Sequence, residues 1–513
     1  MLVQLRDVPE ELGLLSGALV ASGHEVVTQT SAPDVLVLGL PRGGTDDTDD
    51  ATSFLDHTYG IYEQLVSTNA QVVVLLSSTR VYDGLDRGWR VTGDFAPQPT
   101  PELASLGPHL AEMTARELAR EGRLRVWVLR LDTLGDVAAG AFLDPRDGAE
   151  AIVTAVNQIG ALRGAAPSAL SSSYRELIVS GDTVRFGKER GLRSPFEWEP
   201  TYPSQSTRAE RRRAVWPCDA DPVHVPGSPS QITVYGAGGP MGVAVCGALQ
   251  GLPGVVVTAT DRSPLAELAA RPPQSAGAPL PVPMIEPHLE RTVDVTDYAQ
   301  VLDAARGADC LVNTSVVRDD PRVAFLVNAL GTWNITRAAV ELGIARVVQT
   351  GPTLTLLGDP GGFAYDRDVP ADAPVRPARW VYGLSKMLGL EASRVLAESA
   401  RIAVPQLLFN QLLPNLYDGR PLLSFAVSWR DSGRAVAAAT QVTDWPEPSP
   451  RLDVLVPNPH RRTQYRRTWK MLGIDPLDRM DEHWMVEPDQ TDETAPPGPR
   501  PIVGAMDRPE PKQ

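Results

Sequence analysis

The sequence predicts an α/β protein: two doubly wound parallel-sheet domains in tandem, the second carrying a small C-terminal substrate subdomain. Three observations lead there. Short β-branched runs alternate with helix-like segments in both halves, the second half opens on a glycine-rich strand-to-helix turn, and the halves align on each other in matched order. A chain of 513 residues also exceeds what one hydrophobic core usually serves. The expected boundaries are 1–198 for the first domain, 199–230 for a linker, 231–486 for the second domain and 487–513 for a disordered tail.

In the first half, the runs near Val3, Glu25 to Val27, Asp34 to Leu40 and Gln71 to Ser78 read as short buried strands. Glu112 to Glu121 is the clearest helix, followed by a further strand, VWVLRL. From Glu199 to Gln231 the pattern dissolves into proline, serine and charge, the composition of a linker. The second half supplies strands at Ile232, at VVVTATD ending in Asp261, at Val293 to Asp297, at Ala308 to Ser315 and at Ala345 to Gly351. Helices are expected at Tyr298 to Arg306, Val323 to Leu342, Trp380 to Ala400 and, with a basic character, Arg461 to Leu472. The tail is rich in proline and acid.

Composition excludes several classes. No apolar run approaches the roughly 20 residues of a membrane span, and the N-terminus carries acids where a signal peptide is basic, so a cytoplasmic protein is expected. Cys218, Cys246 and Cys310 are scattered without ligand spacing, which argues against a disulfide framework or a metal site. A net charge of -15 disfavours nucleic acid or an anionic membrane as partner. The one basic cluster, Arg208 to Arg213, reads as a solvated run in the linker.

In ITVYGAGGPMGVAVCGAL, Ile232 to Leu249, the strand breaks at Gly236, Gly238, Gly239 and Gly242 and resumes as a helix. Such a turn holds a pyrophosphate on backbone N–H groups and the positive end of a helix dipole. Asp261 follows 25 residues after Gly236; an acid there accepts ribose hydroxyls and repels a 2′-phosphate, favouring NAD over NADP. Arg262 leaves NADP open, because a guanidinium pairs with that phosphate. Asp294 and Val295 close the next strand, where they could meet an adenine edge, or the DVTD run, Asp294 to Asp297, could cap the helix from Tyr298. Tyr382 and Lys386 lie four apart and share a helix face. An ammonium beside a phenol stabilises the phenolate, lowering its pKa and making it a usable general acid or base. Lysine is scarce, only Lys188, Lys386, Lys470 and Lys512 being present, so this pairing is unusual by chance.

Shifting the chain by 230 residues lays Gly17 to Val27 on Gly247 to Val257, with Arg6, Pro9 and Leu12 opposite the glycines. Further on, DVLVLGL matches DCLVNTS, Ala70 to Gly84 matches Ala345 to Asp359, and Pro145 to Val156 matches Trp429 to Thr440. The first copy lacks the equivalent of Asp261 to Val295. It has therefore lost both the glycines and the acid that hold a dinucleotide.

With these residues in place, the second half resembles an extended short-chain dehydrogenase/reductase of the NAD-dependent epimerase/dehydratase type, over roughly Gln231 to Asp475. Gly236, Gly239 and Gly242 match that family's Gly-x-x-Gly-x-x-Gly loop, Asp261 its ribose acid, Asp294 its adenine-side acid, and Tyr382 with Lys386 its catalytic pair. Asn328 to Val348 resembles its helix and strand before the active site, which places Asn328 on the cofactor side. The resemblance implies Rossmann-like domains, an NAD cofactor and a hydroxyl or carbonyl substrate such as a nucleotide sugar. The family's catalytic Ser or Thr falls on Thr353 when the alignment runs through Gly358, and on the inert Pro352 by strict counting. LLFNQLLPNLYDG replaces the family's Arg-Pro loop. In the first half Ser77 to Asp83 keeps the serine segment, yet LGPHL, Leu106 to Leu110, stands in place of Tyr-x-x-x-Lys, so Ser78 is expected to be catalytically silent. The family often dimerises through helices flanking its site, so the first copy is expected to dock there as an internal pseudo-dimer partner. The altered serine segment also suits a non-catalytic, NAD-responsive scaffold or regulator.

Overall fold

The computed structural model describes residues 1–29, 32–41, 50–86, 89–92, 95–120, 122, 124–139, 141–162, 174–182, 185–186, 198–203, 222–273, 277–353, 377, 380–415, 426–456 and 465–478. The chain divides into two compact units, Met1–Cys218 and Asp219–Gln513. The division falls inside the segment expected to be a linker.

The first unit contains strands β1 (Leu2–Arg6), β2 (Glu25–Val27), β3 (Val35–Gly39), β4 (Val72–Ser78), β5 (Arg125–Leu131) and β6 (Tyr174–Val179). Its helices are α1 (Leu15–Ala21), α2 (Asp50–Leu55), α3 (Ile61–Ser67), α4 (Leu103–Arg120) and α5 (Pro145–Leu162). The six strands pair in the order β2-β1-β3-β4-β5-β6, all parallel. A parallel strand covered on both faces has no polar side, hence the unbroken runs of Val and Leu. Leu15 and Leu19 of α1 and Ile152 and Val156 of α5 cover one face; Ile61 and Leu65 of α3 and Ala115 and Leu118 of α4 cover the other.

The second unit begins with β7 (Val223–His224) and continues through β8 (Gln231–Tyr235), β9 (Val256–Asp261), β10 (Leu289–Thr292), β11 (Cys310–Asn313), β12 (Val347–Pro352), β13 (Gln406–Phe409), β14 (Gln411–Leu413), β15 (Ala426–Ser428), β16 (Asp444–Trp445) and β17 (Arg451–Asp453). Its helices are α6 (Pro240–Gln250), α7 (Leu265–Ala269), α8 (Tyr298–Ala305), α9 (Pro321–Ala324), α10 (Gly331–Leu342), α11 (Val381–Ala400), α12 (Trp429–Ala439) and α13 (Tyr465–Leu472). Seven parallel strands follow the order β10-β9-β8-β11-β12-β13-β17. The order reverses beside β8, and in such sheets ligands bind at that switch point, beyond the carboxyl ends of the strands. A π-turn at Phe325–Leu330 joins α9 to α10, and another at Asp56–Gly60 joins α2 to α3.

One expectation is corrected. The strand placed at Val293 to Asp297 runs instead over Leu289–Thr292, because Asp294 turns the chain by accepting the Thr296 N–H at 2.9 Å and its hydroxyl at 2.8 Å. The cap of α8 is Asp297, whose carboxylate accepts the Gln300 N–H. The described residues after β13 pack against the main sheet. Val427, Ala435, Val436, Leu452 and Trp469 share one core with Ile232, Val234 and Leu249, and β17 joins the main sheet.

Both ends of the expected linker are held. Asp147 accepts the N–H groups of Thr201 and Tyr202 at 3.0 and 2.8 Å, while β7 pairs with β16 and Arg346 donates to the Val225 and Gly227 carbonyls at 3.2 and 3.1 Å. The basic run Arg208 to Arg213, Cys218, residues 354–376 and the tail from 487 lie outside the described residues. Among those described, no helix is long and apolar enough to cross a membrane, and no group of three or more His, Cys, Asp or Glu could hold a metal ion. Burial pushes the thiols of Cys246 and Cys310 up to about 12, which makes them unreactive.

Candidate functional site

The glycine loop leaves the carboxyl end of β8. Gly236 turns the chain at φ +78°, and it and Ala237 both donate to the Thr260 carbonyl at 2.9 Å. A Cβ on Gly236 would stand 2.5 Å from the Ser315 nitrogen, and one on Gly242 would stand 2.2 Å from the Gly236 carbonyl oxygen. These two glycines are therefore required by backbone packing. Gly239 is different: a Cβ there meets nothing closer than 3.5 Å. It precedes α6, which starts at Pro240 without a side-chain cap. An uncapped first turn leaves backbone donors and the dipole's positive end for an anion.

Asp261 ends β9 beside the loop. Its Oδ2 accepts the Gly238 N–H at 2.9 Å and its Oδ1 the Arg262 N–H at 2.8 Å. Arg262 itself is exposed. Val295 is buried, with its carbonyl taken by Asn334 Nδ2 at 3.0 Å, and Asp294 is committed to its turn.

Across the switch point, α11 brings Tyr382 and Lys386 to the carboxyl ends of β11 and β12. Lys386 is 2% exposed and donates to the carbonyls of Ser315 at 2.8 Å and Thr350 at 3.2 Å. Burial, seconded by the positive charge of Arg318, lowers its ammonium to about 7. Tyr382 is half-buried, and burial raises its phenol above the ordinary value. The charge and a hydrogen bond of Arg318 oppose that rise. The cation beside the Tyr382 ring is Arg318, whose guanidinium carbon lies 5.1 Å from the ring centroid, while the Lys386 ammonium is held by carbonyls. Trp380 meets the same ring edge-on, with centroids 4.9 Å apart.

Asn328 is fully buried. Its Oδ1 accepts the Val317 N–H at 3.0 Å, and its Nδ2 donates to the Val317 carbonyl at 2.7 Å and to Ser385 Oγ at 3.0 Å. Its amide braces the loop after β11 against α11. Behind it, Asn313 donates to Gln349 at 2.9 Å and Thr332 at 3.1 Å, and Thr336 bonds Ser393 at 2.7 Å. This satisfied polar layer locks α10 and α11 onto the sheet. Thr353 is 1% exposed. Its N–H donates to the Phe409 carbonyl at 2.9 Å, and the carboxyl of Asp453 is raised by burial to about 6, with the Thr353 hydroxyl opposing the rise.

Arg318 and Asp453 escaped the sequence reading. Arg318 had one available signal, a cation five residues past the end of a parallel strand, where ligands approach such sheets. Asp453 had none, since β17 was not anticipated. A groove bordered by Ala248, Leu252, Ala437, Ala438 and Leu472 lies at the opposite end of α6 from the glycines; its Arg434 is tied to Asp431, so no free polar set converges there.

At the carboxyl ends of β4 and β5 in the first unit, polar side chains pair with one another. Ser78 caps the turn after β4 by accepting the Arg80 N–H at 3.2 Å. Ser77 donates to Glu112 at 2.6 Å, and Glu112 pairs with the wholly buried Arg130, which also reaches Glu176 at 2.7 Å and the Tyr82 hydroxyl. Leu106 and Leu110 are buried apolar residues.

Residues 232–420 match the model of the NAD dependent epimerase/dehydratase family. The matched span takes in the glycine loop, Asp261, Asp294, Thr353, Tyr382 and Lys386, and none of the first unit. Similar solved structures include a mutated uronate dehydrogenase, 22% identical over 50% of this chain and 84% of that one with a TM-score of 0.39. Uronate dehydrogenase from Agrobacterium tumefaciens is 20% identical over 53% and 91%, with a TM-score of 0.39. UDP-N-acetylglucosamine 4-epimerase from Bacillus cereus is 14% identical over 49% and 93%, with a TM-score of 0.36. No curated protein matches the sequence.

Proposed function

We propose that the second unit is an NAD-dependent oxidoreductase, epimerase or dehydratase acting on a hydroxyl or carbonyl carbon, with a nucleotide sugar as the favoured substrate class. One observation carries this reading: a glycine loop with its ribose acid, and a Tyr-x-x-x-Lys helix, stand at the carboxyl ends of strands flanking the switch point of one parallel sheet. The uncapped turn of α6 suits the pyrophosphate, and Asp261 suits the adenosine ribose hydroxyls. NAD, when bound, supplies hydride exchange at the substrate carbon. Tyr382 moves the proton to or from the substrate oxygen, Thr353 is the candidate hydrogen-bond partner of that oxygen, and Lys386 the candidate ribose ligand. Substituting Tyr382→Phe is expected to abolish turnover of NAD with candidate sugars while NAD binding by calorimetry stays nearly intact; unchanged turnover overturns the mechanism.

The first unit is read as a degenerate copy. Support comes from its strand order, which equals that of the second sheet with β10 removed, and from the π-turn each unit carries between its matched strands. It lacks the glycines, Tyr and Lys, so we assign it no catalysis and propose that it serves as an internal pseudo-dimer partner. A monomer in sedimentation is the expected result, and a stable dimer through the helices flanking the site counts against it. A second reading, a non-catalytic NAD-responsive regulator, is favoured by one observation, the commitment of the Thr353 hydroxyl to Asp453. Bound NAD that never changes redox state with any candidate sugar would favour it.

A further inference from the structure

We infer that Arg318 is the positioning residue that sets the proton affinity of Tyr382, in the place where the sequence pattern puts Lys386. The inference rests on Tyr382 being the proton carrier proposed above.

Three geometric facts carry it. The Arg318 guanidinium carbon stands 5.1 Å from the Tyr382 ring centroid. The Lys386 ammonium points elsewhere, into the carbonyls of Ser315 and Thr350. The loop that bears Arg318 is held to α11, because Asn328 grips both backbone groups of Val317, the residue before it, and also Ser385 on the helix. Arg318 is thus a side chain on a fixed root, aimed at one ring.

Several of the other charged groups around α11 have partners of their own, while Asp319, beside Arg318, is exposed like Arg318 itself. Arg337 of α10 stacks over Tyr298 at 4.5 Å and Glu341 accepts the Tyr298 hydroxyl. Asp320 caps α9 at the Val323 N–H, Arg322 is exposed, and β12 carries no ionisable residue. On α11 itself, Arg394 pairs with Glu391 and Glu398. A cation near a phenol favours the phenolate, and burial opposes it; Arg318 is the group that offsets burial at Tyr382. A guanidinium stays charged throughout the working range, whereas the Lys386 ammonium at about 7 does not.

The test follows the phenol directly in the full chain carrying tyrosine labelled with ¹³C at Cζ, with the Tyr382 resonance assigned by its loss in Tyr382→Phe. Arg318→Gln is expected to move the Tyr382 titration upward by on the order of one pH unit, with Arg318→Lys in between and the thermal midpoint unchanged in both. With substrate turnover, the basic limb of the pH profile should move by the same amount. A Tyr382 titration unmoved in Arg318→Gln, or moved instead by Lys386→Met, overturns the inference. The NMR readout needs neither NAD nor substrate, so its failure is distinguishable from failure of the enzyme assignment, which Tyr382→Phe turnover tests.

Discussion

The backbone N–H of Gly238 donates to Asp261 Oδ2 at 2.9 Å, so the glycine loop and the acid at the end of the next strand form one rigid unit. A Cβ on Gly238 would sit 3.0 Å from that oxygen and 2.1 Å from Leu268 Cδ1. The carboxylate holds the loop in shape, and in the proposed function its remaining lone pairs meet a ribose.

Asp261→Asn keeps the size but exchanges a charged acceptor for a neutral amide. Charge-assisted bonds are about twice as strong as neutral ones, so NAD affinity should fall roughly tenfold, about 1.4 kcal/mol. NADP affinity should rise, because the charge that repels the 2′-phosphate is gone while Arg262 remains. Calorimetric titration with both dinucleotides checks this, and an unchanged NAD to NADP ratio would sink the assignment of Asp261.

The three motif glycines should not respond alike. Gly242→Ala forces a Cβ to 2.2 Å from the Gly236 carbonyl oxygen, whereas Gly239→Ala meets only an ordinary contact at 3.5 Å. The first should destabilise the second unit by about 1–3 kcal/mol and abolish NAD binding. The second should leave the melting transition in place and weaken binding only where the pyrophosphate approaches. Equal melting losses in scanning calorimetry would mean that the loop is packed differently.

Much of this was legible in the sequence, and the failures have physical causes. Buried parallel strands advertise themselves as apolar runs, so β3, β4, β8, β9 and β12 were locatable, as was α11 from its periodicity. Strand β10 was displaced because all four of its residues are exposed at the sheet edge, and the apolar Val293 and Val295 beyond it imitate a buried strand. Strand β17 is three residues long and gives no periodic signal. Spacing put Tyr382 and Lys386 on one face but could not say where the ammonium points. That depends on the carbonyls of Ser315 and Thr350, which come from two other parts of the sheet. Arg318 and Asp453 act through contacts distant in sequence, and neither belongs to a local pattern.

Lys386 should give the second unit a pH-dependent stability. Its folded ammonium at about 7 lies below the ordinary 10.5, so between those values the unfolded chain binds more protons and stability rises with pH. Below pH 7 both states are charged and the burial cost is complete. Each pH unit separating the folded and unfolded values is worth about 1.4 kcal/mol. Lys386→Met should remove this slope, its stability relative to the native chain declining by several kcal/mol from pH 6 to pH 10 in denaturant titrations that follow the second unit. Parallel curves would show that the ammonium is solvated.

Asp453 tests the opposite sign, and with it the role of Thr353. Its carboxyl is raised from 3.8 to about 6, so between those values the folded state binds more protons than the unfolded one, and stability falls as pH rises through that window. Above pH 6 the cost of the buried charge is complete. Asp453→Asn keeps an oxygen for the Thr353 hydroxyl and removes the charge, so the slope between pH 4 and 6 should vanish. The same substitution tests whether Thr353 takes part in the proposed reaction. If Thr353 serves a substrate oxygen, ionisation of Asp453 governs how firmly its hydroxyl is held away from that task, and the native enzyme should show a kinetic limb near pH 6 that Asp453→Asn lacks. A limb that persists in Asp453→Asn belongs to another group and leaves Thr353 a structural residue, with Tyr382 carrying the proton without it.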